Sequence, residues 1–267
     1  MNTPGSHTHD RGDWTEVDRG WGHQAVDFAT LSEPSNCREY VAVHHRLGVD
    51  RRDRLLDIAC GAGLAIELAR ARGATCWGID ASHRLVAIAR DRNPDSDVRV
   101  GDMHALPWDD ATFDVVTSFR GIWATTPDTL GEALRVLVPG GRIGITVWGY
   151  IKKSPGAWAL APFSMAAEPK VSNQAAMVAL GRPGVGEELL DRYGFENIER
   201  TTIPYAMEFS DPKRSNGIRT DSVTLTGDTT WHQLAVDVNA NETVTIWLIA
   251  DRFTALSGVD VAFDGVT

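Results

Sequence analysis

The chain has 267 residues, 43% of them hydrophobic and 23% charged, a composition that suits one large globular α/β domain or a domain with an appendage. Its net charge of −10 argues against a general nucleic-acid binder, since phosphate contacts need clustered Lys and Arg, and favours a small or cationic partner. Cys37, Cys60 and Cys76 stand at unrelated spacings that fit neither a disulfide framework nor a zinc site, so they read as buried thiols, and with no leader or membrane-length apolar run the expected location is the cytoplasm.

Residues 1–13 are polar and rich in Gly, Pro and His, and are expected to be a disordered tail in which His7 and His9 are solvated and hold no metal. From Trp14 to Thr30 an amphipathic segment carries Trp14, Val17, Trp21, Ala25, Val26 and Phe28, whose aromatic members are expected to lie against the rest of the protein. Ser35-Asn36 caps a predicted helix running to about Leu47, with Tyr40, Val43, His44 and Leu47 on one face. His44 and His45 are adjacent and diverge on a helix.

The stretch from Arg54 to Asp80 organises the chain. A short apolar run, Leu55 to Ala59, is bounded by Gly61 and reads as a buried parallel strand with Asp57 inside it. Helical spacing follows at Leu64, Ile66, Leu68 and Ala69, and Thr75 to Ile79 forms a second strand that delivers Asp80 to its carboxyl end. Gly61 and Gly63 let the backbone turn beside a helix N-terminus, and a carboxylate some twenty residues on suits the hydroxyls of a ribose. The third glycine of a dinucleotide fingerprint is absent, because Ile66 stands there.

Ser82 caps the next predicted helix, and Val98 to Val100 is a third strand ending in Gly101-Asp102-Met103. Phe113 to Phe119 is a fourth strand, after which Arg120-Gly121-Ile122-Trp123-Ala124 leaves the sheet. Thr126, as N-cap, and Pro127 open a helix bearing Leu130, Ala133, Leu134 and Leu137. Val138-Pro139-Gly140-Gly141 then turns the chain into a fifth strand, Arg142 to Trp148. Residues 150–184, broken by four prolines, form a predicted cap; a short helix follows from Glu187 to Tyr193, and Ile198 to Phe209 is a sixth strand.

Asp57-Ile58-Ala59-Cys60-Gly61-Ala62-Gly63 with Asp80, then Asp102-Met103, the Phe113-Asp114-Val115 strand and Arg135-Val136-Leu137-Val138-Pro139-Gly140-Gly141, resemble in order the motifs of class I S-adenosylmethionine-dependent methyltransferases. The likeness spans Trp14 to about Phe209. It implies a Rossmann-like, doubly wound, mostly parallel seven-stranded sheet of order 3-2-1-4-5-7-6, with N-terminal lid helices, over residues 14–212. It further implies that S-adenosyl-L-methionine meets Asp57, Ala59, Cys60, Gly61, Ala62, Gly63, Asp80, Ala81, Gly101, Asp102, Met103, Ser118, Phe119 and Arg120. A small-molecule acceptor would be held near Trp14, Trp21, Tyr40, Trp123, Trp148 and Tyr150. The Asn/Asp-Pro-Pro-aromatic tetrapeptide of DNA- and protein-methylating relatives is missing at Ser118-Phe119-Arg120-Gly121, which favours small acceptors. No spacing singles out a catalytic base among Tyr40, His44, His45, His104 and Tyr150.

The last segment, 213–267, changes character to strand-period alternation, and from Ser215 onward it carries seven acidic and two basic residues. It weakly resembles a carbohydrate-binding β-sandwich fragment, although Glu242 to Phe253 could supply the seventh strand. Two other functions stay open at this point: an NAD(P)-dependent oxidoreductase on the same βαβ unit, and a non-catalytic cofactor- or glycan-binding protein.

Overall fold

The computed structural model describes residues 14–123, 126–149 and 179–203. The chain enters as a succession of short 3-10, α and π turns, from Trp14–Glu16 to Glu33–Asn36, that lead directly into helix α1 (Cys37–Arg46). Buried positions in this entry segment are Asp18, Gly22, Ala25, Ala29, Glu33 and Asn36, whose steps of three and four residues trace one helical stripe. The stripe is small and polar. Val17, Trp21, Val26 and Leu31 are exposed instead, which corrects the expectation for Trp21, while Phe28 does lie inward against Ala25, Ala29, Ala62 and Leu85. The segment's backbone lies close against the neighbouring elements, with Ala25 and Ala29 packed on Ala62 and Leu85, and that approach admits alanine and glycine where an indole would not fit.

The sheet has five parallel strands among the described residues: β1 (Arg54–Ile58), β2 (Thr75–Asp80), β3 (Asp97–Val100), β4 (Phe113–Phe119) and β5 (Leu137–Thr146), in the order β3-β2-β1-β4-β5. Helices α2 (Leu64–Ala71), α3 (His83–Arg92) and α4 (Thr129–Val136) make the crossovers, and α5 (Val185–Arg192) follows β5. Alternating side chains of β1 feed two cores, as a strand buried on both faces requires. Leu55 joins Ile66, Ala69, Val86 and Ala89 of α2 and α3. Leu56 and Ile58 join Phe113, Val116, Leu130 and Val136 on the opposite face.

Several boundaries differ from the sequence reading for identifiable reasons. Helix α4 starts at Thr129, because Thr126 closes a turn by accepting the Trp123 N–H at 2.9 Å through its Oγ1. Asn36 does not cap α1 through its side chain; its amide donates to the Tyr40 hydroxyl at 3.2 Å. Strand β5 opens at Leu137, opposite Phe113, and the Val138-Pro139-Gly140-Gly141 turn is absorbed as an irregularity in register before Arg142 meets Val115. Residues 198–203 form no strand, so the sixth strand does not begin at Ile198. Arg200 there is tied to Glu187 and to the Leu180 and Gly181 carbonyls. The rest of that strand, the seventh strand, residues 1–13, Tyr150 and most of the 150–184 cap, and the 213–267 segment all lie outside the described residues. Among the described residues no helix is long and apolar enough to cross a membrane, and no group of three or more metal-ligating side chains occurs. All three cysteines are free, with Cys60 and Cys76 buried.

Candidate functional site

From β1 the chain steps outward to β2 and β3, then returns to the other side of β1 as β4. The crevice at the carboxyl ends of β1 and β4 is therefore the switch point at which open α/β sheets take their ligands. Both lips carry non-glycine residues in the left-handed region, Ala59 at φ 57° and Arg120 at φ 58°. Such strain persists only where the surroundings over-determine it, and it gathers at functional sites.

On the β1 and β2 side, Gly61 and Gly63 turn the chain at φ 56° and 81°. A Cβ on Gly63 would lie 2.8 Å from Asn93 Nδ2 and 2.9 Å from the Ala89 Cβ, so the residue must be glycine for α2 and α3 to meet. Asp80 is buried at the end of β2, where its Oδ2 accepts the Gly61 N–H at 2.9 Å and its Oδ1 the Ser82 N–H at 2.8 Å. Burial nevertheless holds its carboxyl above the usual range. Asp57 lies deeper, in β1, bonded to the Thr117 hydroxyl at 2.7 Å. Desolvation, with the charges of Glu33 and Asp80 adding to it, pushes Asp57 up to about 8. Cys60 and Ala62 are buried within the loop, and the Gly101 N–H donates to the Asp80 carbonyl. Asp102 Oδ1 accepts the His104 N–H at 2.9 Å and meets His104 Nδ1 at 2.7 Å, while Met103 packs on the core.

Two carboxylates that sequence reasoning passed over complete this side, and both come from the entry segment. Glu33 is buried; its Oε1 accepts the Leu64 N–H at the first turn of α2, 3.2 Å away, and its Oε2 pairs with Arg92 at 2.5 Å. Arg92 in turn donates to the Ala62 carbonyl at 2.9 Å. Asp18 sits at the start of α3, accepting from Ser82 Oγ at 2.5 Å and from the Arg84 N–H at 3.3 Å. The helix N-termini that follow β1 and β2 thus hold the chain's own carboxylates, the charge their dipoles favour. The only sequence signal was an acid at each end of a helical stripe of small residues.

The β4 and β5 side is aromatic. Phe119 meets Tyr40 edge-on at 4.5 Å and His44 at 5.7 Å, and the Trp123 indole N–H donates to the Arg120 carbonyl at 2.6 Å. The Arg120 guanidinium lies 4.8 Å over the Trp148 ring and pairs with Glu39 at 3.3 Å. Glu39 also accepts from the Thr146 hydroxyl at the end of β5. Burial raises the Tyr40 phenol and lowers His44 to about 4, with Arg72 adding to the latter, so His44 is a neutral core ring. Ser118 is buried with its hydroxyl unpartnered. The structure gathers Tyr40, Trp123 and Trp148 here but not Trp21, which is exposed and faces Phe28 at 6.0 Å on the other side of the crevice; Trp14 opens the entry segment.

Residues 56–145 match the methyltransferase domain family. A demethylmenaquinone methyltransferase of Renibacterium salmoninarum is 31% identical over 123 residues, which are 45% of this chain and 52% of that one. The 27-O-demethylrifamycin SV methyltransferase of Amycolatopsis mediterranei is 42% identical over 103 residues, 35% of this chain and 38% of that one. A demethylmenaquinone methyltransferase of Thermus thermophilus is 36% identical over 135 residues, 48% and 53% of the two chains. The chain spans about half the length, or less, of these curated relatives.

Proposed function

We propose that this chain, whose residues 56–145 match the methyltransferase domain family, is a class I methyltransferase that moves a methyl group from S-adenosylmethionine to a small-molecule acceptor. The observation that carries the reading is Glu33. A dinucleotide would place its pyrophosphate against the glycine loop and the first turn of α2, where a buried carboxylate already accepts the Leu64 N–H. Asp80 adds a second carboxyl at the loop, on the Gly61 N–H. Such a site fits a nucleoside that has no phosphate, and it disfavours the NAD(P) alternative.

The residues present fit S-adenosylmethionine in other respects too. Asp80 uses one backbone N–H on each oxygen, and an ionised carboxylate has about four acceptor positions, which leaves capacity for two ribose hydroxyls. Asp102 and Met103 follow β3, the strand beside β2 with its Asp80, and are the residues this reading assigns to the adenine. When bound, the cofactor supplies a methyl group activated by a positive sulfur. The chain's own task is then alignment: the loop fixes one reactant and the β4 and β5 edge the other, and holding two reactants in line can contribute about 7–11 kcal/mol. Phe28 covers Gly61, its ring 3.0 Å from where a Cβ would be, so the entry segment lies over the loop as a lid.

Demethylmenaquinone and demethylrifamycin are the acceptors in the names of the relatives, and both are small molecules. The net charge of −10 supports a partner other than nucleic acid, and the buried unpaired thiols support the cytoplasm. The test is calorimetric titration with S-adenosylhomocysteine, with NADH as control, on the native chain and on Asp80→Ala. One-to-one binding of the first ligand alone, weakened at least tenfold by the substitution, is expected. A folded protein that binds NADH, or neither ligand, would overturn the reading.

A further inference from the structure

The acceptor side of the crevice contains one feature that the methyl-transfer reading does not by itself require. Glu39, on α1, is buried and bridges two strand ends: it takes the Thr146 hydroxyl at the end of β5 and the Arg120 guanidinium just past β4. Arg120 is in turn spread over the Trp148 indole at 4.8 Å, and its backbone is held left-handed, with its N–H on the Thr146 carbonyl at 3.0 Å and its carbonyl taking the Trp123 indole. A guanidinium fixed at both ends, side chain and backbone, in an aromatic surround has its direction decided before any ligand arrives.

Two chemical properties follow for whatever binds beside it. The partly exposed rings of Phe119, Trp123 and Trp148, the first backed by the buried Tyr40, offer flat faces and edges, which suit a planar conjugated ring. The guanidinium is a permanent cation with a planar fork of donors, in a partly buried position where charge–charge interaction is stronger than in water. It therefore selects an oxygen that carries negative charge over a neutral one.

We propose that Arg120, held by Glu39 against Trp148, anchors an acceptor that presents an ionised oxygen on a planar conjugated ring, with Glu39 as its positioning residue. The inference rests on the methyl-transfer reading and deepens it. Ionisation on the ring makes the acceptor a better nucleophile at that oxygen or at a conjugated carbon. The acceptor supplies the electron pair for the new bond to the methyl carbon, the pair of the carbon–sulfur bond stays on sulfur, and the acceptor's proton has gone to water beforehand.

The experiment uses the full chain with saturating S-adenosylhomocysteine and 4-nitrophenol as probe, whose phenolate absorbs where the phenol does not. Bound probe is expected to ionise at least one pH unit lower than free probe, a preference of about tenfold for the phenolate, and 4-nitroanisole, which cannot ionise, is expected to bind at least tenfold more weakly. Arg120→Gln should abolish the shift when S-adenosylhomocysteine is held saturating at the variant's own affinity; Glu39→Gln should reduce it, and Glu39→Asp should restore part of it, as a merely structural role would not. A native chain that binds S-adenosylhomocysteine but ionises the probe as free solution does overturns this inference alone, whether or not the variants fold. A shift that survives Arg120→Gln also overturns it. A native chain that does not bind S-adenosylhomocysteine overturns the methyl-transfer reading and this inference with it.

Discussion

The two lips of the crevice solve the problem of a ligand site with opposite materials. On the β1 and β2 side the work is done by backbone and carboxylates: two left-handed glycines, Asp80 on two peptide N–H groups, and Glu33 and Asp18 on two helix starts. On the β4 and β5 side it is done by rings and the Arg120–Glu39 ion pair, with Tyr40 against Phe119 and Arg120 over Trp148. Each lip carries a carboxylate–arginine pair, Glu33–Arg92 and Glu39–Arg120, so what differs is the material around it. A lip of peptide N–H groups and carboxyls suits a cofactor's hydroxyls; a lip of rings suits a conjugated acceptor.

That contrast can be tested from its strongest element downward. Glu33→Ala removes a buried carboxylate, leaves Arg92 only the more distant Glu67 carboxylate at 3.5 Å and uncaps α2; breaking a buried pair costs about 3–5 kcal/mol, and the Glu67 contact places this case at the low end. Urea denaturation measures it, and a loss below about 1 kcal/mol would mean that the entry segment is not fastened to the loop.

The two lips also titrate in opposite senses. Asp57 is raised to about 8 from an ordinary 3.8, so the folded chain holds its proton longer than the unfolded one and this group's contribution falls as pH rises through that window. His44 is lowered to about 4 from 6.5, so the unfolded chain takes up its proton first and stability is lost as pH falls below 6.5. Between pH 6.5 and 8 only the acidic lip acts, and native stability is expected to decline there by up to about 1.4 kcal/mol per pH unit. Asp57→Asn should flatten that decline. His44→Leu should gain stability relative to the native chain by about 2 kcal/mol more at pH 5 than at pH 7.5. Thermal or urea unfolding across pH would decide both, and equal slopes in variant and native chain would contradict the assignment of charge to each lip. The smallest effect belongs to the exposed face of the entry segment, where Trp21→Ala should change stability by less than about 0.5 kcal/mol.

Reading the sequence was most successful where a motif is local. The strand, glycine turn and helix around Gly61 and Gly63, the Asp80 at the end of β2 and the Ser82 cap each depend on neighbours within a few residues, and the structure places them as expected. Phe113–Phe119 is the expected fourth strand residue for residue. Reading failed where packing distance decides. The entry segment was assigned by its aromatic residues, yet its buried stripe is Asp18, Gly22, Ala25, Ala29, Glu33 and Asn36, because hydrophobic periodicity reports only which residues avoid water and not how closely two backbones must approach.

What the amino-acid order determined by itself was therefore the βαβ unit, the glycine loop with its acid, and the absence of a phosphate-type third glycine, all products of backbone sterics and short-range hydrogen bonding. Only the tertiary structure brought Glu33 to the first turn of α2 across thirty-one positions and Glu39 to Thr146 across one hundred and seven. A carboxylate's role is set by what surrounds it once water is removed, and those surroundings come from segments far apart in the chain.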